Sequence, residues 1–192
     1  MLKRSTTIGN LGKIPSFLPQ ERDPWQRHRA WMQLALEEAR QAGEAGEVPV
    51  AALVVGPGEE LLALSGNRRE RDRDPTAHAE ILALRQAGQR LGDWQLQGCR
   101  LYVTLEPCPM CAGAISQSRL AQVIYGADDP KAGALRSVLN LPASAASFHC
   151  PEVIGGVCEA ECRRLLQEWF SRRRGSSLWG ARTQEGASAG SF

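Results

Sequence analysis

The chain has 192 residues, 43% of them hydrophobic, which is enough apolar material for one packed domain and argues against wholesale disorder. Its 23 lysines and arginines stand against 21 acids, a net charge of +2, so a uniformly basic polyanion binder is excluded and any nucleic-acid contact must come from local clusters. The longest aliphatic run, Val48 to Val55, is far short of the roughly 20 residues that a membrane-crossing helix needs, so no membrane association is expected.

Residues 1–23 lack sustained periodicity and read as a mobile arm. The arm has no apolar h-region, which argues against secretion. It also has no acid before Glu21, which leaves an organellar transit peptide open beside the expected cytoplasmic location. Pro24 suits a first helical turn with Asp23 as N-cap, and Trp25, His28, Trp31, Ala35 and Ala39 then recur at helical spacing, giving an amphipathic helix ending near Gly43. Val48–Val55 and Leu61–Ser65, joined by Gly56-Pro57-Gly58, read as a hairpin. Asn67–Arg73 reads as a polar loop, after which Asp74-Pro75 is expected to cap a second helix reaching about Leu91.

Arg100–Leu105 has the composition of a buried strand, followed by a helix over Cys108–Ser118 and a strand over Gln122–Tyr125. These two helix-linked strands should pair in parallel. Gly126–His149 is a long connection, a length that is often functional. Val153–Val157 is a candidate last strand. Glu159–Arg174 is a final helix with Leu165, Leu166, Trp169 and Phe170 on its apolar side, and residues 175–192 read as a disordered tail. The domain is thus expected over 24–174, as a layered α/β unit with the sheet in the middle.

Six cysteines are present, at 99, 108, 111, 150, 158 and 162. In a reducing compartment their spacing points to metal or redox chemistry before disulfides. Cys108 and Cys111, three residues apart at a helix start, put both sulfurs on one face at the positive end of the helix dipole, which favours thiolates. Adding His78 gives two thiolates and an imidazole, a donor set that suits Zn²⁺ and leaves a fourth position open for water. Glu80, two residues beyond His78, is better placed to handle protons beside the metal than to bind it.

Competing readings exist. Cys99 as a fourth ligand would close the site, but it stands before a strand of about 20 Å whose far end leads to Cys108. A thiol–disulfide pair at Cys108-Pro109-Met110-Cys111 would leave Pro75-Thr76-Ala77-His78-Ala79-Glu80 without a role. Cys150, Cys158 and Cys162 read as packing residues.

The H-x-E…P-C-x-x-C pattern is the signature of zinc deaminases. The stretch Trp25 to Arg174 resembles the bacterial tRNA-specific adenosine deaminases, of the zinc-dependent cytidine/deoxycytidylate deaminase superfamily. The resemblance rests on Glu47-Val48-Pro49-Val50, on Asp74-Pro75-Thr76-Ala77-His78-Ala79-Glu80-Ile81, and on Leu101 through Ala114 with its Glu106-Pro107-Cys108-Pro109-Met110-Cys111 core. It also rests on Tyr125 through Ala134, which holds Pro130-Lys131-Ala132-Gly133-Ala134.

The resemblance implies a three-layer α/β/α cytidine-deaminase-like fold with a central mixed sheet of about five strands. It implies one zinc ion per subunit on His78, Cys108 and Cys111, with Glu80 as proton shuttle and Asn67 against the base. The implied reaction is hydrolytic deamination of the wobble adenosine to inosine in a transfer RNA anticodon loop, by a homodimer. The runner-up is a small-molecule deaminase of the guanine or cytosine type; a zinc-held RNA-binding module without turnover would have no need of Glu80.

Two basic clusters are candidates for RNA phosphates. Arg68, Arg69, Arg71 and Arg73 alternate with acids, whereas Arg163, Arg164, Arg172, Arg173 and Arg174 on the final helix form the cleaner cluster, with the triplet Arg172, Arg173 and Arg174 close to the helix C-terminus. The sequence departs from relatives at Ala51, where they often have Gly, and at Phe148-His149, where they often have Asn-His.

Overall fold

A computed structural model describes residues 23–175; the expected arm and tail lie, apart from Asp23 and Gly175, outside the described residues. Helix α1 spans Pro24–Glu44, with the Asp23 carboxylate accepting the Trp25 N–H at 2.9 Å and Pro24 in the first turn. Its buried stripe, from His28 through Trp31, Met32, Ala35, Leu36 and Ala39 to Ala42, is the periodicity read from the sequence.

Strands β1 (Ala51–Val55) and β2 (Leu61–Gly66) form the expected antiparallel hairpin. The first strand begins three residues later than expected. Pro49 has no N–H to give to a ladder, and the Val50 N–H turns back to the Val48 carbonyl at 2.7 Å. The polar loop after β2 contains a short helix, α2 (Arg69–Asp72). Helix α3 spans Ala79–Leu91, so Asp74-Pro75 does not open it. Instead the Asp74 carboxylate takes both the N–H and the hydroxyl of Thr76 at 2.7 Å, closing a local turn. His78, extended at φ −72° and ψ 150°, is left as the residue that precedes the helix.

The remaining elements are β3 (Arg100–Leu105), α4 (Pro109–Gln117), β4 (Gln122–Ala127), β5 (Glu152–Ile154) and α5 (Glu159–Gly175). The last strand is shorter than the sequence implies, because Gly155 lies against the Tyr125 ring and Gly156 takes a positive φ of 86°. The sheet order is β2-β1-β3-β4-β5. β1 is antiparallel to β2 and β3, whereas β3–β4 and β4–β5 are parallel. This is the expected mixed five-stranded sheet.

Alternation along the strands divides the core into two layers. Ala52, Val54, Leu101, Val103, Val123 and Tyr125 pack with Ala79, Ala83 and Ala87 of α3 and Ala112 and Ile115 of α4. Leu53, Val55, Tyr102 and Ile124 pack on the other side, with Trp31, Met32 and Leu36 of α1 and Cys162 of α5. The molecule is therefore α1 and α5, then sheet, then α3 and α4. Both α3 and α4 begin at the end of the sheet where β3 finishes, and this brings the chemistry-bearing residues together.

Candidate metal centre and active site

His78 and Cys108 each precede a helix, α3 and α4 respectively, and Cys111 is the third residue of α4. His78 Nδ1 lies 3.7 Å from Cys108 Sγ and 3.6 Å from Cys111 Sγ. The three donor atoms all fall within 4.8 Å of one another, with His78 and Cys108 half-buried and Cys111 buried, and they form a group able to hold a metal ion. Both helices point their positive ends at the cluster. The Cys108 thiol is pushed down to about 4, first by the hydrogen bond from Cys111 and then by His78. Cys111, the donor in that pair, is raised. Cys99 is buried at the opposite end of β3 and takes no part.

Glu80, the second residue of α3, is 4% exposed. Burial raises its carboxyl above the ordinary value, and its side chain meets the Cys111 thiol. A buried carboxyl next to a metal-binding group is suited to taking up and returning a proton.

Asn67 is buried just after β2. Its N–H donates to the Val50 carbonyl at 2.9 Å and its Oδ1 accepts the Ala79 N–H at 3.2 Å, which ties β2 to the first turn of α3. That contact fixes the amide's orientation, because only the oxygen can accept from an N–H. The side-chain NH₂ is then the group turned to other partners.

Two residues that carried no assigned role in the sequence shape the surroundings. The Glu47 carboxylate, 3% exposed, accepts the N–H groups of Glu70 at 3.2 Å and Arg71 at 2.8 Å and so seats α2. Glu106, 2% exposed, holds the loop after β4. Burial opposes its charged form, yet hydrogen bonds from Ser137, Arg136 and Asp129 win, and the carboxyl sits below its ordinary value. An acid at the end of an otherwise apolar strand was the visible signal for Glu106.

The arginine triplet occupies the last turn of α5. Arg172 and Arg174 are exposed. Arg173 reaches back to donate to the Gly46 carbonyl at 2.7 Å, its guanidinium 4.2 Å from the centre of the Trp169 ring. Trp169 packs as expected and donates to the Gly43 carbonyl at 3.1 Å, but Phe170 is 42% exposed and meets the Trp169 ring edge-to-face at 5.0 Å. Cys158 and Cys162 are buried, whereas Cys150 is exposed and is not a packing residue.

A family model described as MafB19-like deaminase matches residues 26–168. A tRNA-specific adenosine deaminase from Agrobacterium fabrum is 46% identical over 144 residues, 75% of this chain and 94% of that protein. A solved structure from a study of A-to-I editing by tRNA:A34 deaminases at the wobble position is 47% identical with a TM-score of 0.70, covering 71% of this chain and 99% of that one. A guanine deaminase from Nitrosomonas europaea is 26% identical with a TM-score of 0.62, covering 82% and 93%. With this agreement over most of its length, the chain belongs to the MafB19-like deaminase family, as one of the tRNA-specific adenosine deaminases.

Proposed function

We propose that the protein deaminates the wobble adenosine of a transfer RNA anticodon loop to inosine, with zinc held by His78, Cys108 and Cys111. The observation that carries the reading is the convergence of those three donors beside buried Glu80. The donor set fits zinc on distance as well as type. A tetrahedral ion with bonds of about 2.3 Å to sulfur and about 2.0 Å to nitrogen separates those ligand atoms by about 3.5 Å, close to the 3.6 and 3.7 Å found. When bound, such an ion keeps one position for water and lowers that water's pKa to about 7.

The chain's own residues supply the rest. Glu80 takes a proton from the attacking water and delivers it to N1 of the base. As the C6–N bond breaks, it passes the second water proton to the departing ammonia, and the water oxygen remains on C6. Asn67, its oxygen held by α3, turns its NH₂ to a purine acceptor and orients the ring. Arg173 bonds Gly46, the next residue Glu47 seats α2, and α2 follows Asn67, a series of contacts from the end of α5 toward the site that supports Arg172, Arg173 and Arg174 as contacts to RNA phosphate. Such contacts suit a single-stranded loop. The protein acts where transfer RNA is, in the cytoplasm.

We also propose a homodimer. Met110, Val138, Leu139 and Phe148 are large apolar side chains, 37 to 74% exposed, on α4 and the long connection. A groove between those two segments is lined by Ala112, Ser116, Leu141 and Ser147.

The test is incubation with an anticodon stem-loop bearing the wobble adenosine, alongside free adenosine, guanine and cytidine. Inosine should form in the RNA, and Glu80→Ala should abolish it while keeping fold and metal. The likeness to a guanine deaminase makes the small-molecule reading the second one; turnover of a free base without turnover of the RNA would put it first.

A further inference from the structure

Glu106 lies between the end of β3 and the loop that follows β4, and the chemistry at C6 does not use it. One carboxylate oxygen accepts three consecutive N–H groups, from Leu135 at 3.1 Å, Arg136 at 2.7 Å and Ser137 at 2.9 Å. The other accepts the Asp129 N–H at 3.2 Å and the Ser137 hydroxyl. Both ends of the loop 129–137 are thus fixed to one side chain. Its middle is fixed to the next residue, through the Ala134 N–H and the Pro107 carbonyl at 2.9 Å. Gly133 leaves room for this arrangement, since a Cβ there would strike the Glu106 carboxylate and come within 2.7 Å of the Asp129 carbonyl. Pro130 and Lys131, at the tip, face solvent. Cys108 stands two residues beyond Glu106.

An ionised carboxylate with this many donors from another segment is a fixed joint: it can be satisfied in one loop position only. We infer that Glu106 is a positioning residue for the substrate, holding the 129–137 loop so that its exposed tip with Lys131 meets RNA phosphate beside the metal group. The inference rests on RNA being the substrate. It places Glu106 in affinity and leaves catalysis to Glu80.

The test compares wild type with Glu106→Gln, both metal-loaded. Gln keeps the length and one acceptor but sets an NH₂ against the Asp129 N–H. Amide exchange across 129–137 should quicken. The Kd for the stem-loop should rise about tenfold with a shallower dependence on salt, while kcat at saturation changes less than about threefold. Faster exchange with an unchanged Kd would make the joint purely architectural and overturn the inference. So would a fall in kcat at unchanged Kd. If Glu106→Gln does not fold, Ser137→Ala removes one donor only, and a Kd rise of about threefold at constant kcat is expected, with no rise as the refuting result. A wild type that neither binds nor edits the RNA removes the functional reading itself. A wild type that binds and edits, with a variant that matches it, removes only the role of Glu106.

Discussion

The three donors of the candidate metal centre could be noticed one by one, because a histidine and a cysteine pair at helix starts need only local spacing to stand out. Replacing one sulfur with oxygen weakens a thiolate site strongly, so Cys108→Ser should lower bound metal from about one ion per chain to near zero, as metal analysis would show. Glu47 was harder to see, because its role depends on α2, a short helix distant in sequence whose N–H groups it accepts. His28 is a further residue whose setting only the fold reveals. It is buried, with Nδ1 2.9 Å from Tyr102 Oη, and burial together with the Arg100 and Arg27 cations holds its pKa below the ordinary 6.5. The unfolded chain therefore binds the proton more readily, and stability should decline as pH falls through about 6.5 toward the folded value and return above it. Urea midpoints measured from about pH 7.5 to 5.5 should fall less in His28→Gln than in wild type.

At the scale of elements, the order and type of the main helices and strands followed from periodicity and from the Pro and Gly positions. The start of α3 did not. Asp74-Pro75 has the composition of a helix opening, and a side-chain turn to Thr76 competes for the same carboxylate. The four-residue delay leaves His78 in extended backbone before the helix, able to face the α4 sulfurs. The packing of α5 on β4 is equally specific. A Cβ at Gly126 would collide with Cys162 and lie 2.7 Å from the Thr104 carbonyl. Gly126→Ala should cost about 1–3 kcal/mol in denaturant unfolding, and a change within error would show that α5 can shift to accommodate a methyl group.

For the whole molecule, a net charge of +2 means that any RNA contact has to be local, and at the end of α5 Arg173 turns back to Gly46 while Arg172 and Arg174 are exposed. Neutralising exposed Arg172 and Arg174 should weaken stem-loop binding and flatten its log–log salt plot by about 0.7 for each phosphate that is no longer paired with a cation. Arg173→Ala should also lower the unfolding midpoint, because its guanidinium joins α5 to Gly46. Sedimentation should give a dimer, and Leu139→Asp with Phe148→Asp a monomer.

The histidine and the first sulfur are 30 positions apart in the chain and stand at the heads of the helices that precede and follow the central strand β3. A captured ion is consequently a cross-link across the middle of the fold, one that the unstructured polypeptide lacks. Each tenfold rise in free ion beyond its dissociation constant should add about 1.4 kcal/mol to unfolding. The persistence of a protein loaded in this way would depend on how generously its surroundings supply the metal, and a chelator would act on it as a denaturant.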